Sequence, residues 1–231
     1  MTTIYLVRHG QASFGAESYD KLSSKGETQA QELGKYLKKL MKEEPYIVSG
    51  SMQRHQQTAK ISLDECFPTA NIHTNSAWNE FNHRQVFEKY DPDFANPTVL
   101  KESIASAKNP EQFLTEVFVK AAKRWTSNEY HDYDESWVDF QARVTGALTE
   151  LCNELTEKKP RYAVVYSSGG VISFLIGHLL GLSEEKTFNL MWAIANTSIT
   201  TLNLIGNEPR LLSLNEHHYL KAIDPKLLTW V

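Results

Sequence analysis

Two arginines, a histidine, a carboxylate and a Ser-Ser-Gly-Gly turn are the residues of this 231-residue chain whose types and placement suit a reaction. Arg8, His9 and Gly10 follow the β-rich run TIYLV. Arg54 follows YIVSGS, Glu80 lies in AWNEF just after NIHTN, and Ser167, Ser168, Gly169 and Gly170 close YAVVYS. Such a set suits phosphoryl transfer. A neutral, oriented histidine is a competent nucleophile. Arginine forks match phosphate oxygens and stay charged. A carboxyl group can protonate a leaving oxygen and then activate water. The N–H groups that open a helix bind anions. Two arginines supply the positive charge, so no metal and no cofactor is expected. At the Ser-Ser-Gly-Gly turn three readings stand side by side: a wall of a phosphate cradle, a serine nucleophile at Ser168, or a tight connection.

The elements that must bring these residues together are legible as an alternation. TIYLV (3–7), YIVSGS (46–51), NIHTN (71–75) and YAVVYS (162–167) read as short strands. LSSKGETQAQELGKYLKKLMKEEP reads as a helix opened by a Ser24–Glu27 capping box, with Ala30, Leu33, Leu37, Leu40 and Met41 on one face and Pro45 ending it. MQRHQQTAKISLDECF (52–67) reads as a second helix, and GGVISFLIGHLLG as a later one. Asn109-Pro110 and Ser136 open two further helices with aromatic stripes at 113–125 and 137–155, which are core spacings and not a cofactor box. SITTLNLI and RLLSLN close the chain as β-rich runs. Strands alternating with helices predict an α/β fold of three layers, α/β/α, around a mostly parallel sheet. In such sheets the site lies at the carboxyl ends of the strands, where the residues above fall. One domain over 1–231 is expected, with a helical insertion at 82–135 over the C-terminal edge of the sheet.

Bulk composition sets the bounds. Apolar residues make up 41% and charged residues 23%, as in an ordinary globular core. Net charge is −4 with no basic run, which speaks against nucleic acid as a partner. No apolar stretch is long enough for a bilayer, and MTTIYLVRHG does not read as a signal peptide. Cys66 and Cys152 lie far apart without paired spacing, which fits a reducing compartment and a cytoplasmic protein. The expected partner is a small phosphate ester or a phosphoprotein; a homodimer is compatible with the sequence.

YLVRHGQAS, LSSKGETQA and VSGSMQRHQQTA, in this order within the first 60 residues, resemble the histidine phosphatase superfamily, the phosphoglycerate mutase-like fold. WNEF, SSGGVISFL and NTSIT (196–200) extend the resemblance along the chain; 82–135 matches no motif. The resemblance implies that His9 takes the phosphoryl group as phosphohistidine, that Arg8 and Arg54 bind it, and that Glu80 is the proton donor. It also implies a departure. The family pattern at the fourth strand is Ser-His-Gly-Gly, and Ser168 stands where the second histidine is expected, beside Gly169. A hydroxyl donates one hydrogen bond and carries no charge. The expected function is therefore a metal-independent phosphomonoesterase of reduced or specialised activity. The alternatives are a non-catalytic phosphate-ester-binding protein on the same fold or a mutase-like phosphotransferase.

Lesser candidates complete the set. Gln11 and Ser13 follow the Arg-His-Gly turn and are possible ligand contacts. His83, His217 and His218 are candidates to replace the missing donor. His55 and His178 fall on predicted helices and read as structural. A nucleophile elbow at Ser168 is disfavoured, because Tyr166 stands where its first glycine belongs and little chain follows for an acid and a base.

Overall fold

The computed structural model describes residues 1–13, 20–127 and 129–230. Its elements run β1 (Thr2–Arg8), α1 (Ser24–Leu40), β2 (Tyr46–Ser49), α2 (Gln53–Cys66), β3 (Ile72–Thr74), α3 (His83–Tyr90), α4 (Pro97–Ser106), α5 (Pro110–Thr126), α6 (Trp137–Lys158), β4 (Tyr162–Ser167), α7 (Gly169–Leu180), α8 (Glu184–Ala193), β5 (Ile199–Ile205), β6 (Glu208–Glu216) and α9 (His218–Ile223). The chain divides into two compact units, one of Met1–Glu80 with Val144–Val231 and one of Phe81–Arg143.

The first unit holds a six-stranded sheet in the order β3-β2-β4-β1-β5-β6. The pairs β3/β2, β2/β4 and β4/β1 are parallel; β1/β5 and β5/β6 are antiparallel. Tyr5, Val7, Ile47, Val164 and Tyr166 point to one face, where Leu33, Leu37 and Met41 of the α1 region and Ala59 and Leu63 of α2 cover them. The alternate residues Ile4, Leu6, Ala163 and Val165 are equally buried, so both faces are covered, as a parallel sheet requires. On α7 every residue from Gly169 to Gly177 is buried, which explains why its sequence is apolar all round.

Local chemistry sets the ends of the elements. The cap of α1 is Ser23, whose hydroxyl accepts from Gly26 N; Ser24, expected as the cap, is the first helical residue. Asn96 and Asn109 cap α4 and α5, each followed by proline, whose missing N–H costs nothing there. In the second unit Trp125 is ringed by Phe81, Trp137 and Phe140 at centroid distances of 4.8–5.6 Å, and its indole N–H reaches Glu135 O. The aromatic stripes are core.

Candidate active site

Register brings the chemistry together. Arg8 pairs with Ser167 across β1 and β4, so His9 and Ser168 leave neighbouring strand ends side by side, and His9 N donates to Ser167 O at 2.9 Å. Ser49 of β2 pairs with Tyr166, which brings Gly50 and the start of α2 to the same rim. Glu80 arrives from the far side of the sheet order. Ser167 Oγ bonds Trp78 O at 2.7 Å, and Gly170 N donates to the Glu80 carboxylate at 2.9 Å. The carboxylate thus sits at the N-terminus of α7.

His9 is held in one protonation state. Its Nδ1 lies 2.7 Å from Gly10 O, and Arg54 Nε donates to its Nε2 at 3.1 Å. Arginine is a donor only, so Nε2 carries the lone pair and Nδ1 the hydrogen. Burial first, then the charges of Arg54 and Arg8, hold His9 well below the ordinary histidine value. It is a neutral imidazole with its nucleophilic nitrogen beside a guanidinium.

The two arginines are themselves anchored. Arg54 is buried and its Nη1 bonds Asp20 Oδ1 at 2.7 Å. Arg8 Nη1 donates to Ile194 O and, at 2.7 Å, to Trp230 O. A Cβ at Gly169 would stand 3.4 Å from Arg8 Nε, an ordinary contact distance, so this guanidinium packs beside the first residue of α7.

A second layer explains the spacing of the motifs. A Cβ on Gly10 would meet Gly26 O at 2.6 Å, and one on Gly26 would meet Gln11 O at 2.2 Å. The two glycines let the turn after β1 and the first turn of α1 touch backbone to backbone. Gly10 N donates to Thr58 Oγ1, and Thr58 in turn bonds Arg54 O. Gln29 accepts from Gln11 N and donates to Leu227 O and Thr229. Asn196 Nδ2 and Thr197 N both reach His9 O. Thr197 does so at φ 55°, a left-handed conformation that is strained for a β-branched residue.

A sequence model of the histidine phosphatase superfamily (branch 1) matches residues 4–217. The chain belongs to that superfamily. Solved structures agree on the fold of this superfamily member. The phosphoglycerate mutase from Bacillus anthracis str. Sterne superposes with a TM-score of 0.66 at 18% identity, over 95% of each chain. A phosphoserine phosphatase mutant from Entamoeba histolytica, in complex with phosphoserine, gives 0.64 at 18% identity, over 95% of this chain and 100% of the other. A mycobacterial glucosyl-3-phosphoglycerate phosphatase with inorganic phosphate gives 0.60 at 22%, over 95% and 99%. No curated protein matches the chain.

The other sequence candidates fall as follows. Ser13 Oγ bonds Leu22 O, and Gln11 Oε1 accepts from Ser23; both side chains tie the first loop to the start of α1. His83 belongs to the Phe81–Arg143 unit. His217 bonds Asn215 O and stacks on His218. The histidine that touches Ser168 is His55, at 2.6 Å between Nε2 and Oγ. In the sequence it reads as a structural helix residue; the structure sets it against Ser168. Its one sequence signal is its place directly after Arg54, in the turn of α2 that meets the strand ends.

Proposed function

We propose that this histidine phosphatase is a phosphomonoesterase that works through a phosphohistidine on His9. The state of His9 carries the reading: buried, neutral, with the Nε2 lone pair set against Arg54 Nε. In this reading a phosphate ester draws the Arg54 guanidinium onto its oxygens and presents phosphorus to Nε2. The N–P bond forms as the P–O ester bond breaks, and protonated Glu80 gives its proton to the leaving oxygen. Water then attacks phosphorus while Glu80 takes its proton; the N–P bond breaks and inorganic phosphate leaves with His9 neutral again. Arg8, Arg54 and the Gly169 end of α7 offset the charge of the phosphoryl group.

Names of structural neighbours, phosphoserine phosphatase and glucosyl-3-phosphoglycerate phosphatase among them, support phosphate monoesters as the substrate class. The test is release of inorganic phosphate from an aryl phosphate with chelator present, which silences contaminating metal-dependent phosphatases. Wild type is expected to turn over. His9→Ala is expected to lose activity by on the order of 10³ or more and to form no acid-labile phosphoenzyme. Saturable ester binding without turnover by wild type replaces this reading with the binding-protein one. Transfer to a second hydroxylated acceptor in preference to water replaces it with the mutase.

A further inference from the structure

Ser168 occupies the N-cap position of α7, yet its side chain makes no capping bond. An N-cap serine normally accepts from the second or third N–H of its helix. Here the hydroxyl is committed elsewhere: Oγ lies 2.6 Å from His55 Nε2, and both side chains are fully buried. The His55 ring lies beside that of His9, with 5.5 Å between centroids. His55 Nδ1 is buried with no hydrogen-bond partner among the described residues. It packs against Gly50, where a Cβ would stand 2.2 Å away.

That orphan nitrogen decides the direction of the bond. A hydrogen on Nδ1 would be a buried donor without an acceptor. A bare lone pair facing a glycine Cα–H is the cheaper state. The hydrogen therefore sits on Nε2 and is donated to Ser168 Oγ. The serine keeps its own hydrogen for a further acceptor, and a hydroxyl that already accepts a bond donates more strongly.

We propose that Ser168 Oγ–H donates to the phosphoryl group carried by His9, and that His55 is the positioning residue that polarises it. The inference rests on the phosphohistidine reading above. The imidazole that the resemblance expects on the turn after β4 is supplied from α2 instead, through one hydroxyl. No proton changes owner; the chain is two hydrogen bonds in series.

Two measurements test it. Two-bond nitrogen–proton NMR of histidine-labelled protein reads tautomers directly and needs no activity. His55 is expected as the Nε2–H form. An Nδ1–H form means that Ser168 donates to His55, which overturns the relay and points to a serine nucleophile. The second measurement is kinetic, on variants that remain folded by circular dichroism. His55→Phe and Ser168→Ala are each expected to lower kcat by on the order of 10² with KM little changed, and the double variant to be no worse than Ser168→Ala. Additive losses, or a His55→Phe enzyme as fast as wild type, overturn the proposal and leave the phosphatase reading intact. Ser168→His alone is expected to be poor, because the new ring has only the space of a 2.6 Å hydrogen bond. His55→Ala/Ser168→His is expected to recover at least tenfold over it. If wild type releases no phosphate, the phosphatase reading fails, and orthovanadate binding is measured instead. An affinity at least tenfold weaker in Ser168→Ala supports the hydroxyl as donor; an unchanged affinity overturns it.

Discussion

Arg54 does two things to one atom. Its Nε fills the place beside His9 Nε2, and its charge, after burial, is the largest cause holding that imidazole neutral. Both effects disappear in Arg54→Ala. Loss of one preorganised donor lowers kcat/KM by on the order of 10²–10³. The pH profile carries the more specific signature. His9 must be unprotonated to attack, and its folded value lies below the ordinary histidine value of about 6.5. The acid limb of kcat/KM is therefore expected below pH ~6.5 in wild type and shifted upward in Arg54→Ala. Profiles of the two enzymes, corrected for ionisation of the ester, check this. An acid limb at the same pH in both would mean that Arg54 binds phosphate without tuning the nucleophile.

Between elements, the decisive contacts are backbone to backbone. The turn after β1 and the first turn of α1 interlock at Gly10 and Gly26, where any Cβ would fall within 2.6 Å of a carbonyl oxygen. That carbonyl belongs to a helix turn or to a loop pinned by Gln29, so it cannot swing aside as a flexible side chain would. Gly10→Ala and Gly26→Ala are each expected to cost about 1–3 kcal/mol and to displace His9. Gly146 is the control. It is exposed within α6, and a Cβ there meets nothing within 4 Å. Gly146→Ala is expected to stabilise by about 0.4–1 kcal/mol with unchanged activity. Urea unfolding of the three variants separates the cases. Ser23 shows how narrow such choices are. Two adjacent serines both look like caps, and the loop geometry that bonds Ser23 N to Gln11 O selects the first.

The whole molecule keeps two histidines neutral in its interior, and this gives its stability a pH dependence. Burial lowers His9 and His55 well below their ordinary value, with Arg54 adding to both. Between those lowered values and about 6.5 the unfolded chain binds protons that the folded chain refuses, so stability rises with pH in that window and is lost as pH falls through it. Each histidine contributes a slope of at most about 1.4 kcal/mol per pH unit. Urea midpoints measured from pH 7 down to pH 5 are expected to fall, and the fall to be shallower in His55→Phe. A midpoint that is flat across that range in wild type would show that the pair is not buried neutral.

Strand order aside, much of this protein was written locally. The β-rich runs, the apolar face of α1 and the Asn109-Pro110 helix start need only nearest neighbours, and the structure keeps them. Helix α8 lacks such a local signal: Glu184–Ala193 carries a weak apolar pattern and only Thr187 is buried on it. The motifs marked His9, Arg8, Arg54 and Glu80 because strands that alternate with helices deliver their following residues to one rim. What each motif residue does was a tertiary matter. Gly10 and Gly26 are 16 residues apart, Gln29 and Thr229 are 200, and neither pair shows in a local window. His55 is the sharpest case. Alone it is a histidine on a helix; its meaning comes from Ser168, 113 residues later. Register between β1, β2 and β4 brings the two within hydrogen-bonding distance, and register is set by the whole sheet burying both faces.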